Sequence, residues 1–537
     1  MRNNLITIMA VAGLLLMTLL LTGCSQPGFV ASVGPTAQTY VDDDGVIAPG
    51  DTIPRGTEIK VLKDTALGPD GEKLVAIKTE DFNGFLEEAN IASDISEIVL
   101  EKEIFVRTPA TIYAEATGPA IAGFAPKASK LEIIDCDTPD ANGVVNKYHV
   151  RLGETEGYVY GKYMVYDEKT AKKNCNDNGA YDMAKDAKYP MQLYGGKATN
   201  LDYYPNEPVN IDGNEFCTDA RAMYLHAGAT VKDKYFKLAK KSGVNAVVIN
   251  IDGGTLAYKS PVAKKLCPSA YKDAHYSVEK YQAAVKKYQD AGIYTIGRIV
   301  AFNDPHYAKD NKKACIKSGG KSTEWVSAYS RDAWEYKVSL ALEAIELMGF
   351  NEIQFDYVRF PETAYQMSAS GSTDFRNKYK EEKAQAIQNF CFYATDTIHE
   401  AGAYVSVDVF GESSNGYVTA YGQYWPAISN VVDAISSMPY TDHHGENDTW
   451  TDPYPTLYKW AKKSASMQKH IPTPACPRTW ITGYNTPHWN PTVTYDYDKL
   501  RVQVKALKDA DLDGGFIPWN SNCDYSKYKQ YKKIWKK

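Results

Sequence analysis

The sequence lacks the short motifs that mark several common kinds of catalytic and metal site. Its 537 residues include nine cysteines, but none forms a Cys-x-x-Cys pair, so the usual zinc and redox motifs are missing. There is no Gly-x-Ser-x-Gly elbow to supply an esterase nucleophile, and no His-Glu-x-x-His zinc spacing. Acidic and basic residues are mixed, with a formal net charge of −6, so no basic stripe indicates a nucleic-acid partner.

What the sequence has in abundance is tyrosine. There are 40 Tyr, 16 Phe and 9 Trp, an aromatic content that suits a protein that stacks on sugars or peptides, although it also suits ordinary cores. Hydrophobic residues make up 44% and charged residues 23%, which are the proportions of a globular protein. The length predicts two to four domains.

The first residues have the pattern of a targeting segment. Arg2 precedes an apolar run that ends in "LTGC", Leu21 to Cys24. This ending resembles the bacterial lipobox, which implies cleavage of residues 1–23 and a lipid on the Cys24 sulfur. The alternative is a plain membrane-anchor helix, for which the run is short. We therefore expect an extracytoplasmic protein anchored to the membrane by its lipid, in a setting where one or two disulfides among the other eight cysteines are plausible.

Two strand-rich segments follow, at 24–100 and 101–168. The second ends in "YHVRLGETEGYVYGKYMV", a strand, a glycine turn and "GYV", and this ending resembles bacterial SH3-like domains. The first segment has the same order of features, so the sequence predicts two tandem SH3-like barrels, with a single irregular β domain as the alternative. The resemblance implies modules that bind cell-wall peptide or space an enzyme. Residues 169–215 have no steady periodicity and are predicted to be a connector.

From 216 to 537 the chain alternates between strand-like and helix-like stretches. Eight such units can be counted, from "AMYLHAG" to "GGFIPWN". Several of the helical stretches stop at a glycine, the residue that most easily takes the left-handed conformation at a helix end. Eight units predict a closed (β/α)8 barrel. An open doubly wound sheet is the alternative, but the first strand is not followed by a glycine-rich phosphate-binding fingerprint.

Ionisable and aromatic residues collect where the predicted strands end, which is the functional end of such a barrel. Strand alternation places Gln354 with Asp356, and Ser406 with Asp408, on inward faces of neighbouring strands. Two carboxylates across a cleft are the equipment of a glycosidase, so Asp356 with Asp408 or Glu412 is predicted to be catalytic. An ion pair that is merely structural is the alternative for Asp356. The predicted substrate-binding residues are Asp252, Arg298, Asp304, Tyr357, Arg359, Tyr440, Arg478, Trp480, Trp519 and Asn520, with Trp425 as a further stacking surface.

The stretch "GFNEIQFDYVRFPE", with "GIYTIGRIVAFNDP" before it and "YVSVDVFGE" after it, resembles a bacterial glycoside-hydrolase-like domain family that is distantly similar to amylase-like barrels. The likeness spans about 218–537. It implies a (β/α)8 barrel outside the cytoplasm, with a nucleophile at Asp356 and a polysaccharide or peptidoglycan-type substrate. Gln354 stands where the amylase-like enzymes have arginine, and the acid is either Asp408 or Glu412. A binding-only barrel is therefore an alternative. A third hypothesis is a spore- or envelope-assembly scaffold in which the SH3-like pair carries the function.

No metal or cofactor is expected. Residues 509–520 space aspartates like a calcium loop, but the twelfth position is Asn520 where a bidentate glutamate is needed, so a turn is predicted. Residues 441–448 include Asp442, His443, His444 and Glu446, which we interpret as a loop lining the cleft.

Overall fold

The structure is a computed structural model that describes residues 25–173, 194–443 and 447–536. The chain divides into two compact units, one containing the residues up to 173 except 117–121, and the other containing 117–121 and the residues beyond 173. The predicted signal segment 1–23, Cys24 and a large part of the predicted connector lie outside the described residues. In the described ranges, no helix combines the length and the apolar character that a membrane span needs.

The first unit contains two seven-stranded antiparallel sheets, which confirms the predicted all-β fold of this region. Both sheets have the same strand order, β3-β2-β6-β5-β4-β1-β7 and β10-β9-β13-β12-β11-β8-β14. The strands of the first sheet are β1 Gln26–Val30, β2 Thr36–Asp43, β3 Val46–Pro54, β4 Glu58–Leu67, β5 Lys73–Lys78, β6 Asn83–Glu87 and β7 Ile91–Ala92. Those of the second are β8 Glu103–Val106, β9 Ala110–Tyr113, β10 Ile121–Ala125, β11 Lys130–Cys136, β12 Lys147–Leu152, β13 Thr155–Tyr160 and β14 Met164–Val165.

A buried ion pair joins the two sheets of this unit. Arg55, just after β3, contacts both carboxylate oxygens of Glu101 at 2.7 and 2.9 Å, and both side chains are fully buried. The Arg55 Nε also donates to the carbonyl of Gly143 in the second sheet's β11–β12 loop, at 2.6 Å. Glu101 in turn accepts from the Gly34 backbone N–H of the first sheet. The pair is thus bonded to residues of both sheets.

The second unit contains a ring of eight parallel strands, as predicted. The strand order is β24-β23-β22-β20-β17-β16-β15-β26-β25, and β24 and β25 are two halves of one strand interrupted at Arg478. One half pairs with the sixth strand and the other with the eighth, so the ring closes through them. The strands are β15 Ala220–Leu225, β16 Ala246–Asp252, β17 Tyr294–Val300, β20 Glu352–Asp356, β22 Tyr404–Phe410, β23 Ala434–Met438, β24 Cys476–Pro477, β25 Thr479–Thr482 and β26 Gly515–Trp519.

A helix follows each barrel strand. Each of these segments can form such a helix because its apolar residues recur on one face, which packs against the sheet. In Asp233–Ser242 the buried residues are Tyr235, Leu238, Ala239 and Ser242, the i, i+3, i+4, i+7 pattern of a helix packed on a sheet. Gly243 and Gly349 end their helices with φ of 77° and 65°, as predicted. The main helices are Asp233–Ser242, Val278–Gln289, Arg331–Met348, Lys383–Glu400, Trp425–Ser429, Pro453–Gln468, Tyr497–Asp509 and Tyr525–Gln530.

Shorter strands and helices lie between these main elements. A small sheet is built from β18 Cys315–Ser318, β19 Lys321–Val326 and β21 Thr373–Asp374, which belong to the loops after the third and fourth barrel strands. The remaining short α-helices are Glu168–Lys172, Ala227–Thr230, Pro261–Leu266, Pro268–Asp273, Pro305–Asp310, Ala364–Ala369 and Asn447–Thr451.

The inside of the barrel is polar in layers, while its outside is apolar. Phe355 points outward and packs edge-on against Phe390 of the helix Lys383–Glu400, with ring centroids 5.3 Å apart. Near the amino-terminal end, Arg478 donates to Glu352 at 2.6 Å, and neither side chain is exposed. One layer further along, Gln354 donates to Ser436 across the barrel. Because inward positions repeat every second residue, the next inward position after Gln354 is Asp356.

The predicted disulfides are not found among the described residues. Seven cysteines are free thiols, and four of them are buried; Cys175 lies outside the described residues. One physical reason is the position of these thiols in the fold. Cys391, for example, has no exposed surface and lies within the helix Lys383–Glu400 rather than in a loop. The seven are Cys136, Cys217, Cys267, Cys315, Cys391, Cys476 and Cys523.

Replacing Arg478 with methionine should strongly destabilise the barrel. The substitution leaves Glu352 buried without its cation, and breaking a buried pair in this way costs about 3–5 kcal/mol. Urea unfolding gives the free energy of unfolding. Lys505→Met is the matched control, because Lys505 pairs with Asp509 on the surface, and no measurable change is expected there. Equal losses in the two variants would contradict the structural role of the buried pair.

Candidate active site

A cavity of about 920 Å³ opens at the carboxyl end of the barrel strands. This is the end at which barrel enzymes place their chemistry. Its charged lining residues are Arg298, Asp356, Arg359, Glu362 and Glu412. Aromatic rings form much of its wall, contributed by Tyr357, Tyr365, Phe410, Tyr417, Tyr421, Tyr440, Trp460, Trp480 and Trp519.

Asp356 is the last residue of the fourth barrel strand, and the chain turns sharply after it. Tyr357 has φ of 57°, a left-handed conformation that costs a non-glycine residue roughly 1–2 kcal/mol. The Tyr357 backbone N–H donates to Asp356 Oδ1 at 2.6 Å, which helps to hold the turn. The strained turn ends the strand at the carboxylate and brings the Tyr357 ring to the cavity wall.

Arg298 bridges the carboxylates of the fourth and fifth strands. Its Nη2 donates to Asp356 Oδ2, and its Nε lies 3.8 Å from Asp408 Oδ2. Asn250 positions the guanidinium by accepting from Nη1 at 3.2 Å. Burial alone would lower the pKa of Arg298, but the neighbouring Asp356 and Asp408 raise it above its ordinary value, so the side chain stays cationic.

Asp408 lies below the cavity rather than on its wall. Its side chain has no exposed surface, and its Oδ1 accepts from the indole N–H of Trp480 at 2.8 Å. Burial raises the pKa of Asp408 well above its ordinary value, and the charge of Asp356 raises it further despite the opposing effect of Arg298. Asp408 is therefore the carboxyl of this pair that favours the neutral form.

Glu412, four residues further on, does line the cavity. Tyr417 donates to one of its carboxylate oxygens and Tyr421 to the other, both at 2.8 Å. Burial, followed by the charge of Glu412, raises the pKa of Tyr421 well above its ordinary value, so this phenol keeps its proton. A phenol oxygen can also accept a hydrogen bond, so the two tyrosines can hold either protonation state of Glu412.

The structure brings most of the predicted site residues together. Eight of them line the cavity: Arg298, Asp356, Tyr357, Arg359, Glu412, Tyr440, Trp480 and Trp519. Trp480 is only 1% exposed, because its ring packs against Trp519 while its N–H contacts Asp408.

Asp252 and Asp304 are placed elsewhere. Both contact the ammonium group of Lys337, at 2.8 and 2.6 Å, and all three side chains are buried. Lys337 belongs to the helix Arg331–Met348, so this ion triad ties the ends of the second and third strands to an outer helix. The two aspartates do not line the cavity, and the prediction that they bind substrate is not supported by their position.

Three further predictions need correction. The sequence predicts Arg478 at the cleft, but the residue lies one inward position below Trp480 and contacts Glu352 at the other end of the barrel. Asn520 makes two hydrogen bonds with the backbone of Asp524, which makes it a turn residue. Trp425 is fully buried and donates to Gln468, so its ring is unavailable for stacking on a sugar.

Several cavity residues were not predicted from the sequence. Phe410 could have been found, because it lies two residues after Asp408 and so shares its inward face. Tyr417 and Tyr421 sit in an irregular loop where no periodicity indicates side-chain direction. His443 lines the cavity as predicted for its loop, whereas His444 and Glu446 lie outside the described residues.

The lining of the cavity offers carboxyl groups for chemistry. No cluster of three or more potential metal ligands occurs in the part of the chain that the structure describes. Asp356 and Glu412 face the same cavity, one held by a cation and the other by two phenols. Two carboxyl groups that face one cleft are the basic equipment of glycoside cleavage.

Comparison with known proteins identifies the family. Residues 222–525 match the model of a family described as "putative glycosyl hydrolase domain", and this range covers more than half of the chain. The chain belongs to this family. A comparison with curated proteins returns no match.

The chain also resembles solved structures. A hypothetical protein from Ruminiclostridium thermocellum is 29% identical over 35% of this chain and 97% of its own, with a TM-score of 0.29. The PgaB (BpsB) glycoside hydrolase domain from Bordetella bronchiseptica is 11% identical over 59% and 99%, with a TM-score of 0.43. The spore cortex-lytic enzyme SleL from Bacillus megaterium is 10% identical over 64% and 79%, with a TM-score of 0.38. The family assignment rests on the sequence match.

The raised pKa of Asp408 predicts how stability changes with pH. Its ordinary pKa is 3.8, so above that pH the unfolded chain releases a proton that the folded protein retains. The stabilisation from this group is present below pH 3.8 and is lost as pH rises through the raised pKa. Asparagine cannot ionise, so Asp408→Asn should gain stability relative to the wild type as pH rises, by at most about 1.4 kcal/mol per pH unit.

Urea unfolding of both proteins across the acidic and neutral range measures this difference. Asp212→Asn, at an exposed position of the same unit, is the control for a general effect of removing a carboxylate. Parallel stability curves for wild type and Asp408→Asn would contradict the assignment of a neutral Asp408.

Proposed function

We propose that this chain is a membrane-anchored glycoside hydrolase that cleaves an extracellular or cell-wall polysaccharide with two carboxylates. The observation that carries the proposal is that Asp356 and Glu412 line one cavity at the carboxyl end of the barrel. The membership of the glycosyl hydrolase family supports the reaction class. That the substrate is a polysaccharide, and that the chain is anchored to a membrane, are proposals that rest on the sequence.

In the proposed mechanism, Asp356 is the carboxylate that acts while ionised. Its Oδ2 accepts a hydrogen bond from Arg298, and in the proposal it attacks the anomeric carbon or activates water. Glu412 is the proton donor to the leaving oxygen, and Tyr417 and Tyr421 orient its carboxyl group. This assignment favours Glu412 over Asp408 as the acid, because a side chain without exposed surface cannot reach a substrate.

Asp408 is then a positioning residue. Its contacts with Arg298 and Trp480 hold the guanidinium on one side and an indole of the cavity wall on the other. The exposed faces of the aromatic wall provide apolar surfaces on which sugar rings can stack, with Trp519 partly exposed at the end of the eighth strand.

Asp356→Asn and Glu412→Gln should each abolish most of the activity. Removing a general acid typically costs 10²- to 10⁴-fold in rate, and the loss of a nucleophile costs at least as much. The measurement is the release of sugars from a panel of polysaccharides and wall fragments. Tyr417→Phe is the graded control, because it removes one hydrogen bond to Glu412 and keeps the carboxyl group. Unchanged turnover in both carboxylate variants would end the proposal.

One observation favours a second function, a carbohydrate-binding protein without turnover. Asp356 is only 6% exposed and is engaged by Arg298, which leaves little of the carboxylate open to the cavity. A binding protein would retain glycans and release no product, and its affinity would be unchanged by Glu412→Gln. Affinity electrophoresis on the same polysaccharides, run beside the sugar-release assay, separates the two functions.

The anchor is tested independently of the barrel. If Cys24 carries a lipid, Cys24→Ala should move the protein from the membrane fraction to the soluble fraction and prevent the incorporation of labelled fatty acid. Cys136→Ala, which removes a thiol within the first unit, is the matched control. Membrane association that survives Cys24→Ala would point to anchoring by the apolar run itself.

A further inference from the structure

A second concave site lies at the opposite end of the barrel from the cavity. It is a groove of about 220 Å³ beside the first residues of the first and eighth strands. The helix Tyr497–Asp509 forms one wall, and residues 533–536 near the end of the chain form another. Val504, Leu507, Phe516 and Ile534 supply its apolar surface.

The groove is strongly basic in a protein that is acidic overall. Five cations line it, against the two carboxylates Asp219 and Asp513, whereas the whole chain has a net charge of −6. The cations are Arg221, Arg501, Lys508, Lys533 and Lys536. A local excess of positive charge on an acidic protein is unlike an average solvated surface, in which both signs are mixed.

Most of these cations are available for a ligand. Within the described ranges, Lys508, Lys533 and Lys536 have no carboxylate within 4.0 Å. Arg501 has one exposed partner, Asp498, at 3.7 Å. Arg221 is held more firmly, since it donates to the Trp535 carbonyl at 2.7 Å and lies 3.5 Å from Asp219.

The spacing of the cations suits an extended ligand rather than a single ion. Arg501 and Lys508 are seven residues apart on one helix, so they share a face and lie about 10 Å apart along its axis. Lys533 and Lys536 face them across the groove from the end of the chain. One phosphate or carboxylate could not contact both ends of this row, whereas a chain with repeated anionic groups could.

We propose that this groove binds a linear anionic polymer, whose phosphate or carboxylate groups repeat along its length. The guanidinium of Arg501 can bind such groups in a bidentate fashion, and the lysines can act as point charges. A membrane surface fits less well, because the groove is concave and none of the exposed large apolar side chains lines it. The groove would hold a charged wall polymer at the opposite end of the barrel from the cavity.

The test uses the full chain and two probes, inorganic polyphosphate and polygalacturonate, with binding measured by calorimetry at low and at physiological salt. The triple variant Arg501→Gln, Lys533→Gln, Lys536→Gln should bind roughly tenfold more weakly or worse, because three exposed charge contacts are lost together. Binding should weaken with salt. Binding of polyphosphate alone, or of polygalacturonate alone, identifies the anionic group and supports the site.

The matched control removes the same charge at the other end of the barrel. Lys264→Gln, Lys265→Gln, Lys272→Gln changes three exposed lysines that follow the carboxyl end of the second strand, and it should bind like the wild type. Glu412→Gln should also bind normally, because the inference does not depend on hydrolysis. No binding by the wild type, an equal loss in the control triple, or binding to anionic phosphatidylglycerol vesicles without binding to either polymer would overturn the proposal.

Discussion

The guanidinium of Arg298 is the constraint on which the candidate active site depends. It contacts Asp356 and Asp408, the carboxyl groups of two neighbouring strands, in a region with almost no solvent exposure. Two buried negative charges side by side would be very costly, and one cation cannot fully neutralise both. The consequence is that Asp408 favours the neutral form beneath the cavity, while Asp356 contacts the guanidinium at the cavity wall.

The same principle operates at each level of the barrel interior. Glu352 is neutralised by Arg478 at the amino-terminal end, and Asp252 and Asp304 share Lys337 beside the second and third strands. Each of these carboxylates is buried and paired with a buried cation. Glu412 differs from them because its hydrogen-bond partners are the neutral phenols of Tyr417 and Tyr421 rather than a cation.

The barrel and its catalytic end could be predicted from the sequence, because the eight strand–helix units repeat and inward positions alternate. That logic led to Asp356 and to the choice between Asp408 and Glu412. It could not reveal that Arg478 pairs with Glu352, since the depth of a residue in a barrel depends on how the strands are staggered. The contact of Lys337 with the two aspartates could not be predicted either, because Lys337 reaches them from an outer helix.

Loop residues were beyond prediction for a different reason. Tyr417 and Tyr421 contact Glu412 from a loop whose path is set by tertiary contacts rather than by a local pattern. The SH3-like nature of the two N-terminal segments also stays a prediction, although their identical strand order agrees with the predicted repeat.

The buried contact between Arg55 and Glu101 has a mechanical consequence for the N-terminal sheets. Tandem modules usually pivot about the peptide that joins them, and their separation is then set by chain entropy. Here any pivoting would pull Arg55 away from the Gly143 carbonyl and from Glu101. Both charged side chains would then be buried without a partner. The two sheets should therefore move together as one rigid body rather than as two modules joined by a flexible peptide.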